Sequence, residues 1–371
     1  MKVLMVTPHL PPHQAANALL PAQLGEALLS RGHEVLYLSF GGGRDREGVV
    51  FVKRRSRLLR ATRLPQALEA AETWRKAAPL VRQADVVHIH SNTWMNQVAA
   101  RVSTRQRKPY VLTHYGTEIW HHDGKDAAFR RLNAGARHVT FYSQALLDRG
   151  RELGVPCRAA SVVYPPVADA FRPLSPAARE EVRRRYAPEA EVVLLNVKRL
   201  HPLADHATLL EAMHLLRQRG RGRRAVLLIA GSGETEAALR AQVARLGLEA
   251  WVRFLGLVPN AEVAALQGAA DLFVLSSALE ATPTVALEAL ASGTPVVSTD
   301  NPGGLELRGI FGREVTVVPR QDPAALAAAV ESCLAAPRRV GEAGARLIEE
   351  RFRLASVAER YLELYREAAA S

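Results

Sequence analysis

Thirteen short runs rich in Val, Ile and Leu alternate along this chain with helical stretches of about 10 to 18 residues, and nothing else in the sequence constrains the fold as much. A strand, a helix and a further strand of the same kind is the pattern of parallel sheets built from βαβ units. In the first half the runs are 2–7, 34–40, 49–53, 85–90, 110–114, 138–142 and 161–164; in the second they are 191–197, 225–231, 252–256, 271–277, 294–299 and 314–319. They are almost continuously apolar, so each sheet is expected to be covered on both faces.

The alternation breaks once, at 163–176, where Pro165, Pro166, Pro173 and Pro176 interrupt it before a charged helix. A chain of 371 residues is long for one domain and suits two. The expected fold class is therefore α/β, with two Rossmann-like domains facing across a cleft. In such sheets ligands bind beyond the carboxyl ends of the strands.

Composition narrows the class. Hydrophobic residues at 48% and charged residues at 23% exclude disordered and fibrous chains. Cys157 and Cys333 give no disulfide framework, no run is long enough to span a membrane, and the N-terminus reads as a first strand and not a secretion signal. A cytoplasmic protein is expected. The formal net charge of +12, with 6 Lys among 49 basic residues, points to nucleic acid, an anionic membrane surface or phosphorylated substrates, or reflects genome composition alone.

The most informative stretch is 276–300. A strand runs into a loop carrying Glu280, and a helix follows with Thr282 expected as its N-cap and Pro283 in its first turn. The amides of Thr284 and Val285 at that helix start make a natural anion site. Glu288 lies roughly 6 to 8 Å further along the helix, about the offset between a diphosphate and its ribose. Each glutamate alone reads equally as a solvated acid; together they form E-x7-E between a strand and a helix.

This segment resembles the E-x7-E signature of the family 4 retaining glycosyltransferases, which have the GT-B fold. The resemblance implies that Glu280 binds hydroxyls of the donor sugar and Glu288 the ribose, with Thr282, Thr284 and Val285 close to sugar and phosphate. The stretch 194–212 is similar to the family's G-R-L-x-x-x-K-G segment, so Arg199 matches the arginine that grips the donor diphosphate. The family's glycine is replaced by Lys198 and its lysine by Ala204, which makes Lys198 a candidate second cation. The Gly231-Ser-Gly233 turn and the loop at Val258 match the neighbourhood of the nucleotide.

The N-terminal half carries weaker likenesses. Where relatives have a Gly-Gly pair, this chain has Ala15 and Ala16, whose Cβ atoms change that part of the cradle. The run 85–92 resembles the family's VHxH and 111–122 its T-x-H-G-T-D segment. The latter makes His114 and Gly116 candidates for contact with sugar or acceptor; a hydrogen-bonded strand-end histidine is the other reading of His114. The last helix, 354–370, is amphipathic and by resemblance packs on the N-terminal domain. The implied division is 1–170 for acceptor binding, 171–352 for the nucleotide sugar and 353–371 for the returning helix.

The resemblance implies a retaining glycosyltransferase that moves a sugar from a nucleotide-diphosphate sugar to an acceptor hydroxyl in glycan, glycolipid or glycosylated-metabolite synthesis. It implies no cofactor and no metal. His121, His122 and Asp123 lack a spaced partner for a metal site, and neither a Walker A loop nor a G-x-S-x-G elbow occurs. Alternatives are another GT-B enzyme, such as an epimerase or phosphorylase, or a basic nucleic-acid-binding protein, though binding of nucleic acid is not expected. The basic run 53–63 suggests peripheral contact with the inner membrane surface, or is a solvated segment.

Overall fold

The structure, a computed structural model, describes residues 1–13, 16–41, 45, 47–53, 64–219 and 225–370. Ala15 and most of the basic run 53–63, from residue 54 onward, lie outside the described residues. The chain divides into two compact units, Met1–Pro166 with Leu354–Ser371, and Val167–Arg353.

The first unit holds a seven-stranded parallel sheet. Its strands are β1 (Lys2–Thr7), β2 (Glu34–Phe40), β3 (Val49–Val52), β4 (Val86–His90), β5 (Tyr110–His114), β6 (His138–Phe141) and β7 (Ala160–Val162), in the spatial order β3-β2-β1-β4-β5-β6-β7. The second unit has six parallel strands, β8 (Val192–Val197), β9 (Ala225–Ala230), β10 (Val252–Gly256), β11 (Leu272–Leu275), β12 (Val296–Thr299) and β13 (Val315–Val318), in the order β10-β9-β8-β11-β12-β13. Each of the thirteen apolar runs holds a strand: four coincide with it end to end, the run at 161–164 starts one residue earlier as Ala160–Val162, and the others lose one or two residues at one or both ends. The trimming removes polar residues such as Asp85, Glu191 and Asp271, which sit outside the hydrophobic layer.

Both sheets reverse direction once. In the first the chain winds outward from β1 through β2 to β3 and then restarts at β4 on the other side of β1; in the second it does the same between β8 and β11. These are the switch points at which the loops after two neighbouring strands diverge and leave a crevice. The core of the second unit, with Leu194, Leu227, Ile229, Leu272, Val274 and Met213 all buried, fixes β8, β9 and β11 and so fixes where their loops emerge.

The helix Leu354–Ala370 belongs to the first unit and buries Val357, Tyr361, Leu364 and Tyr365 there. Tyr361 and Tyr365 reach a buried polar ladder on the sheet. The Tyr365 hydroxyl lies 2.6 Å from His88 Nδ1, His88 Nε2 lies 2.7 Å from Thr113 Oγ1, and Thr113 is 2.6 Å from Thr140 Oγ1 and 3.2 Å from the Tyr361 hydroxyl. The chain enters the second unit at Val167 and leaves at Arg353, and these points are clamped: Val167 N donates to Phe352 O at 2.7 Å, and Arg353 Nη1 donates to the carbonyls of Ala168 and Phe171.

Candidate active site

The switch point of the second sheet brings together Lys198 and Glu280. Lys198 directly follows β8 and Glu280 lies five residues beyond β11; the Lys198 ammonium and the Glu280 carboxylate form a close ion pair. Both are largely withdrawn from solvent, with Lys198 at 28% and Glu280 at 11% exposure. The same two loops are tied again by Ser276 Oγ donating to Ala204 O at 2.8 Å and Ala278 N to Leu203 O at 2.8 Å. Ala204, at the position where the resemblance places a lysine, is buried.

Gly231 and Gly233 explain how the β8 loop is held. Lys198 N donates to Ala230 O and Leu200 N to Ser232 O, each at 3.0 Å, so the two backbones run side by side. A Cβ on Gly231 would lie 2.0 Å from Lys198 O, and one on Gly233 would lie 2.2 Å from Leu200 O. Gly231 also has φ +146, which disfavours any other residue. The G-x-G turn thus serves backbone approach between neighbouring loops, and Gly231 N reaches on to Gly256 O at 2.7 Å at the end of β10. Val258, two residues further, is half-buried beside the exposed Leu257.

Arg199 points into solvent, 72% exposed, and its Nη2 lies 3.3 Å from Glu234 Oε2; His201 Nε2 is 3.5 Å from the other oxygen of that carboxylate. Behind Lys198, His206 is buried, with Nε2 3.0 Å from Asn196 Oδ1. Since Asn196 Nδ2 donates to Val274 O, its oxygen accepts from His206 Nε2–H. Burial first, and the Lys198 charge second, push the His206 pKa down to about 4, so the ring is neutral near pH 7.

The helix after Glu280 spans Thr284–Ala291, with Pro283 at its N-cap and no side-chain capping bond. This corrects the expectation that Thr282 caps it. Pro283 O accepts from the amides of Ala286 and Leu287, and Thr282 sits one residue too early to replace it. Among the described residues the amides of Thr284 and Val285 are the first-turn donors left over, on a half-buried Val285 and an exposed Thr284. Glu288 has no ion pair or side-chain hydrogen bond among the described residues, and burial raises its pKa from 4.5 to about 7.

A contributor the sequence reading passed over is Gly303. A Cβ there would meet Pro283 Cδ at 2.6 Å and Glu280 O at 3.2 Å, and its amide donates to Glu280 O at 2.9 Å. The Asn301-Pro302-Gly303-Gly304 run signals this, being a capped helix start with two consecutive residues that lack a Cβ.

In the first unit, His114 is wholly buried, with Nε2 2.8 Å from Asn133 Oδ1 and its ring against Phe129 and Phe141. It lies at the end of β5, fully buried and hydrogen-bonded within the first unit. Tyr115, the next residue, has its hydroxyl 2.6 Å from Nδ1 of buried His90. Gly116 is buried with φ +149 at the start of the short helix Thr117–Trp120. Ala16 is the exposed first residue of the helix Ala16–Leu29. His122 stacks on Phe129 and its Nδ1 accepts from Gly124 N. Among the described residues no group of three or more His, Cys, Asp and Glu is placed to hold a metal ion, and no helix is long and apolar enough to cross a membrane.

Two doubly wound parallel sheets, one of them with a lysine–glutamate pair across its switch point, define the α/β architecture of the GT-B class. A solved structure of Anabaena HepE in complex with UDP superposes with a TM-score of 0.80 at 21% identity, covering 99% of this chain and 100% of that one. Residues 22–171 match the family model for Glycosyltransferase Family 4 and residues 178–351 that for Glycosyl transferases group 1. The chain is 32% identical over 306 residues to D-inositol 3-phosphate glycosyltransferase of Thermobispora bispora, covering 76% of this chain and 70% of that protein. It is 36% identical over 227 residues to D-inositol 3-phosphate glycosyltransferase 2 of Catenulispora acidiphila, where the match spans 59% of this chain and about half, 52%, of the relative's length. The chain belongs to glycosyltransferase family 4.

Proposed function

We propose that the protein transfers a sugar from a nucleoside-diphosphate sugar to an acceptor hydroxyl, with retention at the anomeric carbon and without a metal ion. The observation that carries this reading is the Lys198–Glu280 pair at the switch point of the second sheet, in the loop that leads to the first-turn amides of Thr284 and Val285. It gathers an anion site, a hydroxyl-binding carboxylate and a cation where an open α/β sheet takes its ligand.

In this mechanism the second unit holds the donor. The first-turn amides of the helix Thr284–Ala291 and the Lys198 ammonium draw the diphosphate, and the exposed Arg199 turns from Glu234 to grip it bidentately. Glu288 accepts from the ribose hydroxyls. Glu280, released from Lys198, accepts from hydroxyls of the sugar. The acceptor attacks on the face the nucleotide leaves, and the departing phosphate oxygen takes its proton, so no enzymic nucleophile is required. Catalysis is then positioning plus neutralisation of charge that grows on the diphosphate. Two side-chain cations and the helix amides supply that neutralisation, which supports the metal-independent reading. The names of the relatives, which act on an inositol phosphate, favour a hydroxyl-rich acceptor, expected at the first unit.

The test is to incubate the chain with a panel of nucleotide sugars and polyol or lipid-linked acceptors, with and without EDTA. Nucleotide release, product mass and the anomeric coupling constant are followed. A product of inverted configuration, or release abolished by EDTA, refutes the corresponding part; release with no donor in the panel refutes the whole.

A further inference from the structure

Three helices of the first unit lie side by side, with Trp94–Arg105 between Leu64–Gln83 and Ala127–Gly135. A cavity of about 490 Å³ opens among them. Tyr110, the first residue of β5, lines it, which puts that wall roughly 13 Å from the carboxyl end of the strand. The cavity therefore stands apart from the edge at which an open α/β sheet takes its ligand.

Trp74, Ala100 and Leu132 give the cavity an apolar lining, and among the described residues no acid borders it. Its rim carries Arg101, Arg105 and Arg131, all exposed and none with an ion pair or hydrogen bond among the described residues. By contrast Arg151, Arg360 and Arg366, also exposed in this unit, pair with Asp148, Glu363 and Glu359. Arg101 and Arg105 stand one turn apart on the same helix face, where like charges repel and a bound anion relieves the cost.

The helix Leu64–Gln83 continues this surface. Ala67, Leu68, Ala71 and Trp74 are exposed at three- and four-residue spacings, so they form one apolar stripe about 10 Å long. Leu68 is 45% and Trp74 39% exposed. Glu72 of the same helix is held by Lys76 and by the amide of Lys53, so it does not offset the three arginines. A free anion or a nucleic acid would satisfy the arginines and leave the stripe bare. A second copy of the chain, in a two-fold contact, would set the patch against itself and oppose the unpaired arginines of both copies. An anionic bilayer satisfies both features: its interfacial layer takes indole and aliphatic groups, and its phosphates take guanidinium groups.

We propose that this face of the first unit rests on an anionic phospholipid bilayer. The stripe from Ala67 to Trp74 enters the interfacial layer, and Arg101, Arg105 and Arg131 hold lipid phosphates, since guanidinium forks match their oxygens. The apolar cavity between the helices lies between these two contacts and takes the upper part of an acyl chain.

The experiment is co-sedimentation of the full chain with phosphatidylcholine vesicles, alone or mixed with phosphatidylglycerol at about 7 to 3, in about 0.1 M salt. Binding to the mixed vesicles is expected to be at least ten-fold tighter than to the neutral ones and to weaken as salt is raised. The triple variant Arg101→Ser/Arg105→Ser/Arg131→Ser alters exposed side chains only and leaves the basic run 53–63 intact. It is expected to lose at least ten-fold in affinity for the mixed vesicles with its melting temperature unchanged. Lipids brominated in their acyl chains are expected to quench the wild-type fluorescence more than that of Trp74→Phe, because the Trp74 indole lies in the layer. No preference for the mixed vesicles, undiminished binding by the triple variant, or equal quenching in Trp74→Phe overturns the proposal. Displacement by glycerol 3-phosphate, tighter binding of random-sequence DNA than of vesicles, or a dimer broken by Trp74→Glu assigns the face to another occupant and overturns it too. Neither donor nor turnover enters the assay, so its failure leaves the transfer reading standing.

Discussion

Lys198 and Glu280, 82 residues apart in the chain, form an ion pair that closes the switch point of the second sheet, joining the loop after β8 to the loop after β11. Each partner neutralises the other in a site with little solvent, so removing one leaves the other charge uncompensated. Lys198→Met is therefore expected to lower kcat/KM by about 100-fold, on the scale of a lost charge-assisted contact. The double variant Lys198→Met/Glu280→Gln is expected to cost less than the two single losses combined, because the second change relieves the charge the first exposed. Steady-state kinetics on the three variants checks this; strict additivity would show that the pair does not act as a unit.

Glu288 gives the site a pH dependence. Its folded-state pKa is raised from 4.5 to about 7 by burial, so the folded protein holds a proton there that the unfolded chain has already released between those values. Stability therefore falls as pH rises from 4.5 to 7 and stays reduced above it, by on the order of 3 kcal/mol at most. Ribose hydroxyls donate to a carboxylate, so nucleotide binding is expected to strengthen as pH rises through 7 and to release a proton. Glu288→Gln should raise the denaturation midpoint at pH 8 but not at pH 4.5, while weakening nucleotide binding and flattening its pH profile. Calorimetry in buffers of different ionisation enthalpy reads the proton directly.

What the sequence made legible follows from locality. Parallel strands covered on both faces must be continuous apolar runs, so β1 to β13 could be read from Val, Ile and Leu alone. The helix start was misplaced by one residue because Thr282 and Pro283 both carry N-terminal signals, and the choice between them depends on how the loop lies over Gly303. His114 was ambiguous for a similar reason: its partner Asn133 and the rings of Phe129 and Phe141 come from other elements. Lys198 could be named as a cation out of place, but its bond to Glu280 belongs to strand order, which no local pattern encodes.

Gly231 tests whether the β8 loop depends on backbone approach. Gly231→Ala puts a Cβ 2.0 Å from a backbone oxygen that has no free rotamer, at φ +146, so the loop must shift. A loss of about 1–3 kcal/mol in stability is expected, together with weaker nucleotide binding, because Lys198 and Arg199 move with that oxygen. Gly309→Ala, in the helix Pro302–Phe311 with open space around it, is the control. It should be neutral or stabilise by up to about 1 kcal/mol through reduced unfolded-chain entropy. Denaturant midpoints and nucleotide titrations on both variants separate loop strain from a general effect of losing glycine.

Tyr365 links the last helix to the first sheet through a single buried bond to His88. Burial holds the His88 pKa well below its ordinary value, with His90 beside it as the smaller cause, so the ring stays neutral and offers one donor and one acceptor nitrogen. In Tyr365→Phe the ring still packs, but His88 Nδ1 loses its partner at full burial, which is expected to cost about 1–3 kcal/mol. Tyr361→Phe removes longer contacts, 3.2 and 3.3 Å to Thr113 and Thr140, while those two hydroxyls keep their mutual 2.6 Å bond. Its cost should therefore be smaller, under about 1 kcal/mol. Hydrogen exchange of the amides of β4 and of the helix Leu354–Ala370 is the decisive measurement, since it reports this unit separately from the other. Faster exchange in Tyr365→Phe than in Tyr361→Phe is expected in both elements, and the reverse order would mean that the Thr113–Thr140–Tyr361 contacts, not the histidine bond, fix the helix.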